Sequence, residues 1–242
     1  MKTLLLTLIS FTTFAQNPPL KLEIESITFI DSISTERTFT INYHIENLTD
    51  NEVSFFLNPN NLIANSRASM SKNVSYNLYE NDEKLYLVDA FTSRRMLDLD
   101  KIIKSKKNDE EKNKVIKEFL MNDLNLNIDS IPKGDKDEKK IENHFLKKKN
   151  EMLLNSRIKL APKELKKYSI KVIWDKTRYF KIADIQFYID EKLPHYIDLT
   201  INLMKEEFKD KLTTEEYQKT MGNSTFISGW FTSNKMEINF KE

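Results

Sequence analysis

Between Phe39 and Glu46 apolar and polar residues alternate without a fault. Phe39, Ile41, Tyr43 and Ile45 fall on one side, and Thr40, Asn42, His44 and Glu46 on the other. A pleated strand sends successive side chains to opposite faces, whereas a helix would scatter both sets around its circumference. The pattern therefore predicts a strand with one face in a core and one toward water. The same period recurs at Leu20, Leu22 and Ile24. It then slips near Glu25-Ser26, which predicts a bulge, and resumes at Ile27 and Phe29. After a turn at Asn47–Asn51, Val53, Phe55 and Leu57 predict a return strand ended by Asn58-Pro59-Asn60. Val74, Tyr76 and Leu78 predict another, turning at Asn81-Asp82 into residues 85–88.

Strands return in the last third. Ile158 and Leu160 lead into a proline turn at 161–165. Tyr168, Ile170, Val172 and Trp174 then alternate with polar neighbours, which places Trp174 in the core. Ile185, Phe187 and Ile189 form one further strand, and Ile197, Leu199, Ile201 and Leu203 another. Residues 212–221 read as a short helix, with Thr213 and Glu216 spaced as a capping box and Gly222 as its stop. A closing hairpin is expected across Ser233-Asn234. Strands at this spacing argue an antiparallel β-sandwich.

Residues 96–156 differ in character. Lys, Asp and Glu dominate, and the apolar spacing becomes helical at Val115, Ile116, Phe119 and Leu120, and again at Ile141, Phe145, Leu146, Met152 and Leu153. Ile131-Pro132-Lys133-Gly134-Asp135 separates the two stretches. The expected organisation is a sandwich in two parts, 16–95 and 157–242, carrying a charged two-helix insertion at 96–156.

Residues 1–15 read as a secretory signal peptide. Lys2 supplies the positive end, Leu4–Phe14 the apolar stretch, and Thr13 and Ala15 the small residues before cleavage ahead of Gln16. That segment is too short to span a bilayer stably. The protein is therefore expected to be exported, soluble, and periplasmic or extracellular. Net charge is +1, and loss of Lys2 brings 38 basic groups level with 37 acidic ones. Such a balance gives no pull toward nucleic acid.

Composition narrows the chemistry. Three glycines, against about 17 for average usage, cannot build a phosphate loop, a dinucleotide fingerprint or a G-x-S-x-G elbow. With no cysteine there is no disulfide, thiol nucleophile or Cys-ligated metal. His44, His144 and His195 show no metal-binding spacing and read as surface residues. Asp123, Asn125, Asn127 and Asp129 alternate like a calcium loop, but Ile128 occupies the position that needs glycine. Neither metal nor cofactor is expected.

Two segments carry a family likeness. Phe39–Leu57, FTINYHIENLTDNEVSFFL, resembles the central hairpin of bacterial immunoglobulin-like domains. Leu160–Trp174, LAPKELKKYSIKVIW, resembles the proline-turn-strand late in such domains. Phe14-Ala15-Gln16 resembles the cleavage sites of secreted Bacteroidota proteins. These resemblances imply an immunoglobulin-like sandwich of that group and no particular activity. They also make Ser32 and Ser130, each in an Asp-Ser-Ile triplet, candidates for O-glycosylation.

The candidate contact residues are aromatic and basic. Adjacent rings at Phe55-Phe56 and Trp230-Phe231 cannot share one face of a strand, so one of each pair must point outward. Phe56, Trp230 and Phe231 are thus candidates for stacking on a sugar or anchoring a partner. Arg94-Arg95 is a candidate anion clamp. The functional expectation is a non-catalytic binding module for a protein or glycan of the envelope or exterior. The alternatives are a periplasmic inhibitor or immunity-type protein, and a hydrolase using a carboxylate pair without a local motif.

Overall fold

The computed structural model describes residues 18–65, 72–85, 90–92, 102–103, 105–106, 108–112, 114–115, 150–151, 153–176, 180–182, 185–187 and 189–241. The chain is mainly β. Its strands are β1 (Leu20–Ile33), β2 (Glu36–Asn47), β3 (Val53–Phe56), β4 (Asn58–Ala64), β5 (Asn73–Glu80), β6 (Glu83–Leu85) and β7 (Phe91–Thr92). These are followed by β8 (Arg157–Leu160), β9 (Leu165–Asp175), β10 (Phe180–Ile182), β11 (Ile185–Phe187), β12 (His195–Leu203), β13 (Gly229–Thr232) and β14 (Met236–Ile238). One sheet has the order β1-β2-β9-β7. A second has the order β13-β12-β5-β4, with β14 also on β12 and β6 also on β5. β3 pairs with β8, and β10 with β11. Among the described strands only the β4–β5 pair is parallel.

Both sheets feed one apolar core. Phe39, Ile41, Tyr43 and Ile45 of β2 are fully buried, as their alternation required, and Ile197, Leu199, Ile201 and Leu203 of β12 face them from the second sheet. Rings bridge the layers: Phe240, just after β14, lies 5.3 Å from Phe39 and 4.8 Å from Trp174. Tyr76 of β5 lies 5.0 Å from Phe91 of β7. Edge-to-face contacts of this kind add to the area term.

The phase slip in β1 is a bulge. Ile24 pairs with Tyr43 and Ser26 with Asn42, leaving Glu25 extra. The edge of β1 at this point is closed by a side chain. Asn234 Oδ1 accepts from the Ile24 N–H at 2.8 Å, and Asn234 Nδ2 donates to the Ile24 carbonyl at 3.2 Å. The amide thus imitates the backbone of a neighbouring strand. Replacing Asn234 with alanine should cost about 1–3 kcal/mol, because two half-buried backbone groups lose their partner. Hydrogen exchange at the Ile24 amide should accelerate more than at its neighbours; unchanged protection there would remove this role from Asn234.

Asn234 does not turn a hairpin, contrary to expectation. β13 pairs with Thr200–Leu203 and β14 with His195–Ile197, so both lie along the same strand, β12. Ser233 spans the break, its N–H donating to the Leu199 carbonyl and its Oγ accepting from the Leu199 N–H. Continuing along β12 brings Ile238 and Phe240 into the core, where both are buried.

Two further expectations are corrected. β3 does not return onto β2 but leaves the first sheet to pair with β8. Asn47, fully buried, anchors the departure: its Nδ2 donates to the Asn51 and Ala161 carbonyls, and its Oδ1 accepts from the Thr49 N–H. Asn58-Pro59-Asn60 does not end the strands but opens β4. Pro59 is tolerated because β4 is an edge strand whose ladder is interrupted between Asn58 and Leu62. The Pro59 carbonyl accepts from the Tyr43 hydroxyl at 2.7 Å.

A second cluster joins Phe56, Leu153, Phe208, Leu212, Met221 and Phe226. It contains the helix α1 (Thr214–Met221), whose capping box between Thr213 and Glu216 is complete. Gly222 caps its end at an ordinary φ of −78°. Glycine is needed there for space, since a Cβ would sit 2.6 Å from the Gln218 carbonyl oxygen. Within 96–156, residues 102–103, 105, 109–112, 114–115, 150–151 and 153–155 are helical. The remainder of the expected helix pair lies outside the described residues. Among the described residues no helix is long and apolar enough to cross a membrane.

Candidate functional site

The three candidate rings separate. Phe56 is 1% exposed, because the outward side of β3 is covered by Phe208 and Phe226, whose ring centroids lie 5.0 and 5.2 Å away. Phe231 is 6% exposed and belongs to the main core. Neither can meet a partner, which corrects the expectation for both. Trp230 belongs to neither cluster and is 63% exposed. Strand alternation required one ring of Trp230-Phe231 to leave the core, and it is the tryptophan that does so.

β13 is an edge strand, and Trp230 stands opposite Asn202 of β12. Residues opposite each other in an antiparallel pair share a face, so the indole and the Asn202 amide are side by side. Thr232 stands opposite Thr200 on the same face. Farther along, Asp198 is 3% exposed and accepts from Asn77 Nδ2 at 2.7 Å and the Tyr79 hydroxyl at 2.6 Å. Asn65 Nδ2 extends the network by donating to Asn77 Oδ1 at 2.6 Å, and Lys235 Nζ lies 3.7 Å from the centre of the Tyr79 ring. The outer face of the second sheet therefore carries a polar row that ends at an exposed indole.

Asn202 differs from the rest of that row. It is 4% exposed, and its Nδ2 reaches only the Met204 sulfur at 3.2 Å. Its Oδ1 is buried without a hydrogen-bond partner. An orphaned buried acceptor costs about 1–3 kcal/mol, and such groups in folded proteins call for an explanation. Sequence reasoning found Trp230 but missed Asn202. The alternation put Asn202 outside the core, but the pairing that sets it beside the indole is a long-range fact.

The two described histidines, His44 and His195, are not open surface residues. His44 does lie on the outward face of β2, but it is 7% exposed beneath two carboxylates. Its Nδ1 meets Glu25 Oε1 at 3.0 Å, and its Nε2 lies 3.6 Å from Glu23. The two ring nitrogens address different acids, so the three groups do not converge. His195 is 1% exposed at the head of β12, with Nδ1 3.0 Å from the Leu193 carbonyl and its ring edge-on to Phe240. No group of three metal-ligating side chains occurs among the described residues. Ser32 is exposed, with its hydroxyl 3.2 Å from that of Thr38. Arg94, Arg95, Ser130, His144 and the Asp123–Asp129 stretch lie outside the described residues.

Several carboxylates titrate low. The Arg37 guanidinium holds Asp31 below the ordinary 3.8, against the opposing pull of burial. Lys21 does the same for Glu23, and Lys167 with His44 for Glu25, both below 4.5. A carboxyl whose folded pKa is depressed contributes stability above its unfolded pKa and loses it as pH falls through the folded one. The urea midpoint should therefore hold near neutrality and decline below about pH 4. In Arg37→Ala, Asp31 returns toward its ordinary value, so the acid decline should be shallower. Equal acid slopes in the two proteins would contradict the assignment.

Compared with protein-family models, curated proteins and solved structures, the chain has no match.

Proposed function

We propose that this chain is an exported, non-catalytic binding module of the cell envelope or exterior. Its scaffold is an immunoglobulin-like sandwich with a helical insertion, and it contacts a protein or glycan partner through Trp230. One observation carries the reading: of the three candidate rings, Trp230 alone is turned outward, at 63% exposure. A tryptophan is costly to leave in water and is over-represented where a partner covers it. Export rests on the apolar Leu4–Phe14 stretch with small residues before Gln16.

The test is affinity capture from the native periplasm or medium, with the mature chain and its Trp230→Ala variant immobilised side by side. A partner enriched on the first and lost on the second is the expected result. No enrichment on either, or equal enrichment on both, would overturn the role of Trp230.

A further inference from the structure

We infer that the ligand taken at Trp230 is a carbohydrate, stacked on the indole and hydrogen-bonded by Asn202 and Thr232. This rests on the binding reading above and names its ligand class. The surroundings of the ring carry the argument. Among the described residues the other large exposed apolar side chains are Phe29, Ile30 and Ile33 of β1, Ile102, and Leu165 of β9. β1 and β9 belong to the other sheet. On its own sheet face Trp230 is bordered by Asn202, Thr200 and Thr232. The core of a protein–protein contact needs clustered apolar anchors, and a single ring among amides and hydroxyls does not supply them.

A sugar ring presents what this arrangement lacks. One face is lined with C–H groups, which suit the indole surface. The rim carries hydroxyls, which donate to a free acceptor. Asn202 Oδ1 is such an acceptor, buried and unpartnered. Its desolvation is already complete in the free protein, so a hydroxyl bonded there restores a lost interaction and displaces no water from the oxygen. Thr232, exposed on the neighbouring strand position, offers a second hydroxyl. In this proposal the indole, opposite Asn202 in the ladder and exposed, turns aside to admit a hydroxyl to Oδ1. Gly229 sets the ring's entry: its φ of +143° favours glycine, and a Cβ there would press on the Phe231 ring at 3.2 Å.

The experiment is affinity electrophoresis of the mature chain in gels holding xylan, arabinan, mixed-linkage β-glucan, galactomannan, pectin or dextran. Solution titration with chitin and peptidoglycan oligosaccharides accompanies it. Retardation or saturable binding by at least one of these is expected, weakened about tenfold or more in Trp230→Ala. Asn202→Ala should weaken it several-fold while leaving the thermal midpoint equal or higher, since an orphaned acceptor is removed. A lower midpoint in Asn202→Ala would make that residue structural and overturn its part. Sugar binding untouched by Trp230→Ala would overturn the site. If no sugar binds but a protein is captured through Trp230, the carbohydrate inference falls and the binding reading stands. If neither binds, both fall.

Discussion

Replacing Arg37 with alanine should cost about 2–4 kcal/mol, since a fully buried side chain is removed and two part-buried carbonyls lose their donor. Against a total stability of about 5–15 kcal/mol, that is a large share. Arg37 is 1% exposed near the start of β2. Its Nε and Nη2 grip the Asp31 carboxylate at 2.6 and 2.8 Å. Its Nη1 donates to the Asn239 and Lys241 carbonyls at 3.0 and 2.6 Å, and its Cζ lies 4.2 Å from the centre of the Phe29 ring. One side chain thus ties the β1–β2 hairpin to the end of the chain. Truncation leaves the two carbonyls without this donor and opens a hole beside Phe29, while the exposed Asp31 carboxylate keeps water and Lys176. Arg37→Lys should recover little, because a point charge cannot make the forked contact. Urea denaturation measures both; a loss below about 1 kcal/mol in Arg37→Ala would show that the socket is not integral to the fold.

Phe56→Ala should cost about 3–5 kcal/mol, as for other large buried rings, although Phe56 and Trp230 looked equivalent in sequence. Phe56 lies at the centre of the second cluster, edge-on to both Phe208 and Phe226, and its removal leaves a cavity under α1. Trp230→Ala should change stability by no more than about 0.5 kcal/mol, as for an exposed position. Phe56→Ala and Phe208→Ala together should cost less than the sum of the single losses, since the two rings share one contact. Comparable losses in Phe56→Ala and Trp230→Ala would contradict the division of the rings into core and contact residues.

The legible parts of this fold are those governed by local periodicity. The stripe from Phe39 to Ile45, the bulge at Glu25, the burial of Trp174 and the Thr213–Glu216 box all follow from spacings of a few residues. What stayed hidden depends on partners far along the chain. Pro59 reads as a strand breaker, yet an edge position makes its missing donor harmless. Ser233-Asn234 reads as a turn, yet β12 offers one continuous edge and Asn234 is drawn to Ile24. Arg37 falls on the inward side with Phe39 and Ile41, and what lets a charge be buried there is a pair of carbonyls 202 and 204 residues away. Alternation said that one ring of Trp230-Phe231 must face out. Which neighbours would cover the outward side of β3 and leave that of β13 open was set by the packing of α1 and Phe208, which no local pattern encodes.

The most direct test of Trp230 as the contact ring is iodide quenching of Trp174→Phe, which leaves Trp230 as the sole tryptophan and keeps a ring against Phe240. In the free protein the indole should be quenched readily, and adding a glycan that binds in the electrophoresis or titration experiments, or a protein captured through Trp230, should shield it in a saturable way. An indole already shielded in the free protein, or one whose quenching is the same with and without the bound partner, would contradict the account.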